Sequence, residues 1–254
     1  MRDILEKFSQ IADVEAIAIG GSKSAKTFDK TSDVDIYVFS KNGVQLEARE
    51  SIIKEVSSKY ETGEDYFGSG DEFFYDKENL VLDIMYWDVK WLEDVVENVW
   101  VKHYPSNGYT TCFLYTLNNF EIIYDTNNWL KNLQNKLKTE YPQELQKNII
   151  KRNMMLMKDK PFASYYEQIE KAVKRNDVVS INHRTAAFLA SYFDVIFAIN
   201  KLLHPGEKRL IQYAKNNCSI LPQDFEANIE KLLIQQNPLA ALDEMVDNLR
   251  KIIV

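Results

Sequence analysis

The sequence predicts an α+β fold, with strands and helices intermixed over residues 1–126 and helices alone over residues 127–254. Three observations carry this. Short β-prone runs recur up to residue 125, and helix-start signals follow one another from residue 128. No repeat, low-complexity tract or glycine-serine linker interrupts the chain.

Taken in order, Glu15-Ala16-Ile17-Ala18-Ile19 is a short apolar strand that stops at Gly20-Gly21, where glycine permits a tight turn. Ser22-Lys23-Ser24-Ala25-Lys26 then brings hydroxyls and ammonium groups to the start of a short helix. Unpaired N–H groups at a helix start suit an anion of phosphate size. Ser32 to Phe39 reads as the next strand, with Asp33 and Asp35 on one face and Val34 and Ile36 on the other. Leu46 to Lys59 has helical spacing, and Glu61 to Tyr75 reads as two strands broken at Gly68-Ser69-Gly70. Asn79 to Trp87 is a β-rich run whose only charge is Asp83. Trp91 to Trp100 and Thr110 to Leu117 are helical in period, and Phe120 to Asp125 resembles a closing strand. Beyond it, about six helices are expected, with start signals at Pro142, Pro161, Asp177, Pro222 and Pro238.

The chemistry concentrates in three acids. Two carboxylates two apart on one strand repel unless a cation lies between them, and oxygen-only ligands of this kind suit Mg²⁺ shared with substrate phosphates. A lone acid in the middle of an apolar strand needs a partner. If the Asp83 strand lies beside the Asp33–Asp35 strand, three carboxylates are placed to hold two Mg²⁺ ions roughly 4 Å apart, the arrangement used for in-line displacement at phosphorus. Each piece has a bland reading: Gly-Gly as a turn, Asp-x-Asp as a solvated strand edge. One arrangement explains all of them together.

On Gly20, Gly21, Ser22, Asp33, Asp35 and Asp83 the chain resembles the nucleotidyltransferase superfamily related to DNA polymerase β. In layout it looks most like the antibiotic and small-molecule nucleotidyltransferases with a helical C-terminal domain. The resemblance implies a mixed sheet with flanking helices as a catalytic domain over 1–126, and a helical C-terminal domain over 127–254. It implies metal binding by Asp33 and Asp35, with Asp83 as a third ligand or as the base. Gly21 and Ser22 would hold the outer phosphates, with Gly20 and Lys23 beside them. Some members use basic residues of the helical domain for phosphate, which points to Lys208 and Arg209 in His204-Pro205-Gly206-Glu207-Lys208-Arg209. The implied reaction moves AMP from a nucleoside triphosphate, ATP foremost, to a hydroxyl and releases pyrophosphate. Glu167 is a second candidate base. Some relatives complete their site across a homodimer.

Composition fits this reading. Of 254 residues, 45% are hydrophobic and 27% charged, the profile of an ordinary globular chain, and its length allows two domains. Residues 1–126 carry 12 Lys+Arg against 24 Asp+Glu, and residues 127–254 carry 19 against 14. The acidic half suits cations and the basic half suits anions. A net charge of −7 disfavours general nucleic-acid binding, with Lys131 to Lys160 the richest basic stretch. Only Cys112 and Cys218 occur, so a disulfide framework is not expected. The charged start and the lack of a long apolar run predict a cytoplasmic protein with no membrane partner. The 14 Tyr, 13 Phe and 4 Trp are mostly core, with outward rings among Tyr66, Phe67, Phe73, Phe74 and Tyr75 as acceptor contacts. Two other classes stay open: transfer to a protein or an RNA end, and a non-catalytic nucleotide-sensing or antitoxin-like protein.

Overall fold

The computed structural model describes residues 1–20, 33–66, 68–234 and 237–253. Among the described residues six strands form one sheet: β1 Val14–Ile19, β2 Val34–Ser40, β3 Tyr60–Glu64, β4 Gly70–Tyr75, β5 Leu80–Asp88 and β6 Glu121–Asp125. Their order across the sheet is β3-β4-β5-β2-β1-β6. The β2–β5 pair is parallel and the other pairs are antiparallel, so the sheet is mixed.

Alternation along the strands decides which side is core. Val34, Ile36 and Val38 of β2, Leu82 and Ile84 of β5 and Phe73 and Tyr75 of β4 are buried on one face. Helices α1, Arg2–Ser9, and α2, Leu46–Lys54, supply Ile4, Leu5, Phe8 and Ile53 to the same cluster. Each of those side chains, taken out of water, contributes roughly 1.5–3 kcal/mol. A buried ion pair locks α2 here: Arg49 lies 3.6 Å from Asp71 and 4.4 Å over the Tyr86 ring, while the Tyr86 hydroxyl donates to Asp71 at 2.6 Å.

The chain also forms α3, Val89–Val95, continued by a π-helical turn at Val96–Val101, then α4, Cys112–Asn118, and α5, Trp129–Lys136. The seven helices described after residue 127 begin with α5 and continue with α6 Gln143–Met154, α7 Tyr165–Lys174, α8 Val178–Ile199, α9 Leu210–Asn217, α10 Phe225–Leu233 and α11 Pro238–Arg250. The start signals hold at Pro142 (N-cap), Asp177 (N-cap) and Pro238 (first turn), whereas α7 and α10 begin at caps several residues beyond Pro161 and two beyond Pro222. α5 packs on the sheet, since the Gln134 side chain donates to the carbonyls of Leu117 and Phe120, both at 3.0 Å. Two compact units result: Met1–Glu97 with Thr116–Thr139, and Asn98–Tyr115 with Glu140–Val254.

The second unit is built around α8, whose Phe188, Tyr192, Phe193, Val195, Ile196 and Phe197 are buried among α6, α10 and α11. Gly108 approaches it closely. At φ +83° a Cβ there would stand 2.7 Å from Ala190 Cβ and 2.8 Å from its carbonyl carbon. Gly108→Ala therefore combines a left-handed backbone cost with overpacking and should lower stability by about 2–4 kcal/mol in urea denaturation. Among the described residues no helix is long and apolar enough to cross a membrane. Cys112 and Cys218 are half-buried thiols.

Candidate functional site

The strand carrying Asp83 lies directly beside the strand carrying Asp35. In the parallel β2–β5 register Asp35 pairs with Asp83, which places the two carboxylates on neighbouring strands roughly 4.8 Å apart at the backbone, on the face opposite the α1–α2 core. Asp33 precedes β2 by one residue, is exposed, and alternation points it to the same side. Gly20 ends β1 alongside, its N–H donating to the Asp35 carbonyl oxygen at 2.9 Å. Gly21, Ser22 and Lys23 lie outside the described residues.

Sequence reasoning missed how far this acidic row extends. Glu72 of β4 is opposite Asp83, and Glu61 of β3 is opposite Glu72, so Asp35, Asp83, Glu72 and Glu61 cross four adjacent strands in one line. Like charges directly opposite are destabilising, so strand pairing by itself disfavours such a row. Its signal lies in Asp71-Glu72-Phe73-Phe74-Tyr75, where Glu72 has the parity of Phe74 and not of the buried Phe73, but only the register shows that its neighbour is Asp83.

Burial pushes the Asp83 carboxyl up to about 6, and the charges of Asp35, Glu72, Asp33 and Glu64 push the same way. Burial and then the charge of Glu61 likewise raise Glu64. The Tyr37 phenol, two residues beyond Asp35 on the same face, is raised by burial and then by Asp35 and Asp83. Asp83 thus stays in a field that favours any incoming positive charge. Among the described residues no three His, Cys, Asp or Glu side chains converge tightly enough to cage an ion alone. Two carboxylates at paired positions on neighbouring strands suit Mg²⁺ completed by phosphate oxygens, as this ion is usually bound.

Below the carboxylates an aromatic floor continues along the same face. The Tyr37 ring centroid lies 4.7 Å from those of Trp87 and Phe120, and Trp91 meets Trp87 edge-on at 5.0 Å. The hairpin rings divide between the two sides: Phe73 and Tyr75 belong to the core, Tyr66 is exposed, and Phe67 lies outside the described residues. Phe73 and Tyr75 face inward because they share the parity of buried Asp71, which leaves Tyr66 and the half-buried Phe74 as the outward rings among those described.

Lys208 and Arg209 belong to the second unit and are exposed in the turn before α9, with Arg209 in the left-handed region at φ 55°. His204 beside them is buried. Its Nδ1 accepts from the Gly206 N–H at 3.2 Å, and burial pushes its imidazole down to about 3, so it is neutral. Glu167 is a cap: its carboxylate accepts from the Ala163 N–H, while Ser164 Oγ accepts from the Glu167 N–H at 3.2 Å.

Residues 1–84 match the nucleotidyltransferase domain family, and residues 109–210 match a domain of unknown function (DUF4037). No curated protein matches the chain. Among solved structures, it is similar to a nucleotidyltransferase-like protein from Exiguobacterium sibiricum 255-15 at 11% identity and a TM-score of 0.46, covering 99% of this chain and 72% of that one. It is also similar to the spectinomycin adenyltransferase AAD(9) from Enterococcus faecialis at 12% identity and a TM-score of 0.31, covering 98% and 99%. Likenesses this distant carry no argument about substrate. The match over residues 1–84 takes in β1 with Gly20, β2 with Asp35 and β5 as far as Asp83, and it makes this first third of the chain a nucleotidyltransferase domain and the protein an enzyme of the nucleotidyl-transfer class.

Proposed function

We propose that the protein moves a nucleoside monophosphate, AMP foremost, from a nucleoside triphosphate to a hydroxyl of a small, positively charged acceptor such as an antibiotic, releasing pyrophosphate. One observation carries the reading: Asp35 and Asp83 face each other across β2 and β5 inside a nucleotidyltransferase domain. The acceptor class is supported by Glu72 and Glu61, which extend the negative row away from the pair. Such a row attracts ammonium groups and repels the phosphodiesters of RNA.

In this reading Asp33 and Asp35 hold the cation and Gly20, Gly21, Ser22 and Lys23 orient the leaving pyrophosphate. The acceptor oxygen forms its bond to the α-phosphorus as the bond to the bridging oxygen breaks, and the hydroxyl proton passes to Asp83. A carboxylate raised to about 6 is ionised at neutral pH yet more basic than an ordinary one, which suits that transfer. Two Mg²⁺ ions, when bound, neutralise the triphosphate and lower the pKa of the hydroxyl. Positioning and charge neutralisation supply most of the acceleration.

Pyrophosphate release on incubation with ATP, Mg²⁺ and a panel of acceptors tests this. The panel holds hydroxyl-bearing polyamine antibiotics, neutral sugars, an RNA and a protein. Release with the cationic small molecules supports the reading, release with RNA or protein alone replaces the acceptor, and release with none removes the catalytic assignment. Lys208 and Arg209 are proposed for phosphate and have a separate test: Lys208→Ala should raise the apparent KM for nucleotide about tenfold. An unchanged KM would drop them.

A further inference from the structure

We propose that Tyr37 is a positioning residue of the transfer site: its ring fixes the end of β1 at Gly20 against the Asp35–Asp83 pair, and nucleotide binding depends on that contact. The inference rests on the nucleotidyl-transfer reading above.

Gly20 is not among the glycines with positive φ, so its backbone does not require glycine. What requires it is the ring. A Cβ built on Gly20 would stand 2.5 Å from Tyr37 Cε2, 3.2 Å from Tyr37 Cδ2 and 3.2 Å from Phe120 Cε1. The ring cannot easily yield, because Tyr37 is buried between Trp87 and Phe120, whose centroids are both 4.7 Å away. Ala18, two residues before Gly20, pairs with Tyr37 in the β1–β2 register. The Gly20 N–H in turn holds the Asp35 carbonyl oxygen at 2.9 Å. Ring, glycine and the backbone of the carboxylate thus form one chain of rigid contacts, and displacing the ring displaces the strand end next to Asp35. An ordinary core residue at position 37 would leave space for a side chain at position 20.

Calorimetric titration with a nonhydrolysable ATP analogue and Mg²⁺ tests it on the full chain. Tyr37→Phe keeps the ring and should bind within about twofold of wild type, whereas Tyr37→Leu and Gly20→Ala should each weaken binding about tenfold. The decisive variant is the double one. Leu leaves room for the new Cβ, so Gly20→Ala with Tyr37→Leu should bind no worse than Tyr37→Leu alone, while Gly20→Ala with Tyr37→Phe should stay as weak as Gly20→Ala. A loss of packing alone would lower the melting temperature and would not produce this pairwise rescue. Tyr37→Met replaces Tyr37→Leu should the latter not fold. Equal affinity of wild type and Tyr37→Leu, or additive losses in the double variant, overturns the inference alone. A wild-type chain that binds no nucleotide overturns the functional reading and this inference with it.

Discussion

Asp35→Asn and Asp83→Asn should each abolish nucleotidyl transfer, and Asp83→Asn should leave the protein as stable as wild type or more so. The activity loss is expected on the order of 10³-fold or more in kcat, the scale found when a preorganised charge at a transition state is removed. The stability expectation comes from the register. Asp35 and Asp83 are opposite one another, and Glu72 flanks Asp83 on its other side, so the native state holds like charges together that the unfolded chain separates. The carboxyl of Asp83 is raised to about 6 from 3.8, so the folded protein binds the extra proton between those values. Stability therefore falls as pH rises through that window, and Asp83→Asn removes the fall. Asp83 is half-buried, and solvent screening brings the effect down to about 1 kcal/mol, or about 2–4 °C in melting temperature. Mg²⁺ with nucleotide should reverse the order, since a ligand that binds only the native state at 100 times its Kd adds about 2.7 kcal/mol to wild type and little to either variant. Thermal melts at pH 4.5 and 7.5, with and without Mg²⁺ and a nonhydrolysable triphosphate, measure both halves. A variant that keeps more than a tenth of wild-type turnover excludes the carboxylate pair from the chemistry.

This site was legible because its parts break local rules. Asp83 stands alone in an apolar strand, and Asp33 and Asp35 share a strand face, so each asked for a partner before any register was known. What periodicity could not supply is the neighbour across the sheet. Glu72 looks like an ordinary exposed strand residue until β4 is set against β5, and Tyr37 looks like core until its ring is found where a Gly20 side chain would be. The strands of the first unit were readable because they alternate or run apolar. The helices were less so in their starts: α7 begins at Ser164 and α10 at Asp224, because a side-chain cap in one case and a left-handed residue in the other set the first turn in place of the proline upstream. α5 reads as the first member of the helical half, yet Gln134 ties it to the chain leading into β6. The pairing of a buried polar side chain is a tertiary fact.

Asp194 should make the second unit lose stability as pH rises from 4 to 7. It stands in the middle of α8, 2% exposed, in a run of aromatic and aliphatic residues. Oδ1 accepts from the Thr110 N–H at 3.0 Å, and Oδ2 accepts from the Thr110 hydroxyl at 2.6 Å and from Asn153 Nδ2 at 3.0 Å. Asn153 in turn accepts the Gly108 N–H at 3.0 Å, and Thr110 Oγ1 accepts the Ser106 N–H at 2.9 Å, so one carboxyl organises the stretch 106–110 on α6 and α8. Burial pushes this carboxyl up to about 7, and the three donors hold it down by less. The unfolded value is 3.8, so the native state retains a proton that the unfolded chain has released, and stability is lost through the window between them. At about 1.4 kcal/mol per pH unit the loss reaches about 4 kcal/mol, a large part of what an ordinary domain has. Asp194→Asn should flatten that slope, at a cost of about 2 kcal/mol because its amide meets the Asn153 amide donor to donor. Asp194→Ala leaves the Thr110 N–H and hydroxyl without their acceptor, while Asn153 Nδ2 keeps the carbonyls of Ser106 and Ile149; it should cost about 3–5 kcal/mol at pH 4.5, and less at pH 7.5, where the wild type has lost stability through the same carboxyl. Urea denaturation of the three proteins at pH 4.5, 6 and 7.5 checks the signs. A wild-type stability that rises across this range would mean that the Thr110 and Asn153 bonds outweigh the burial of the charge.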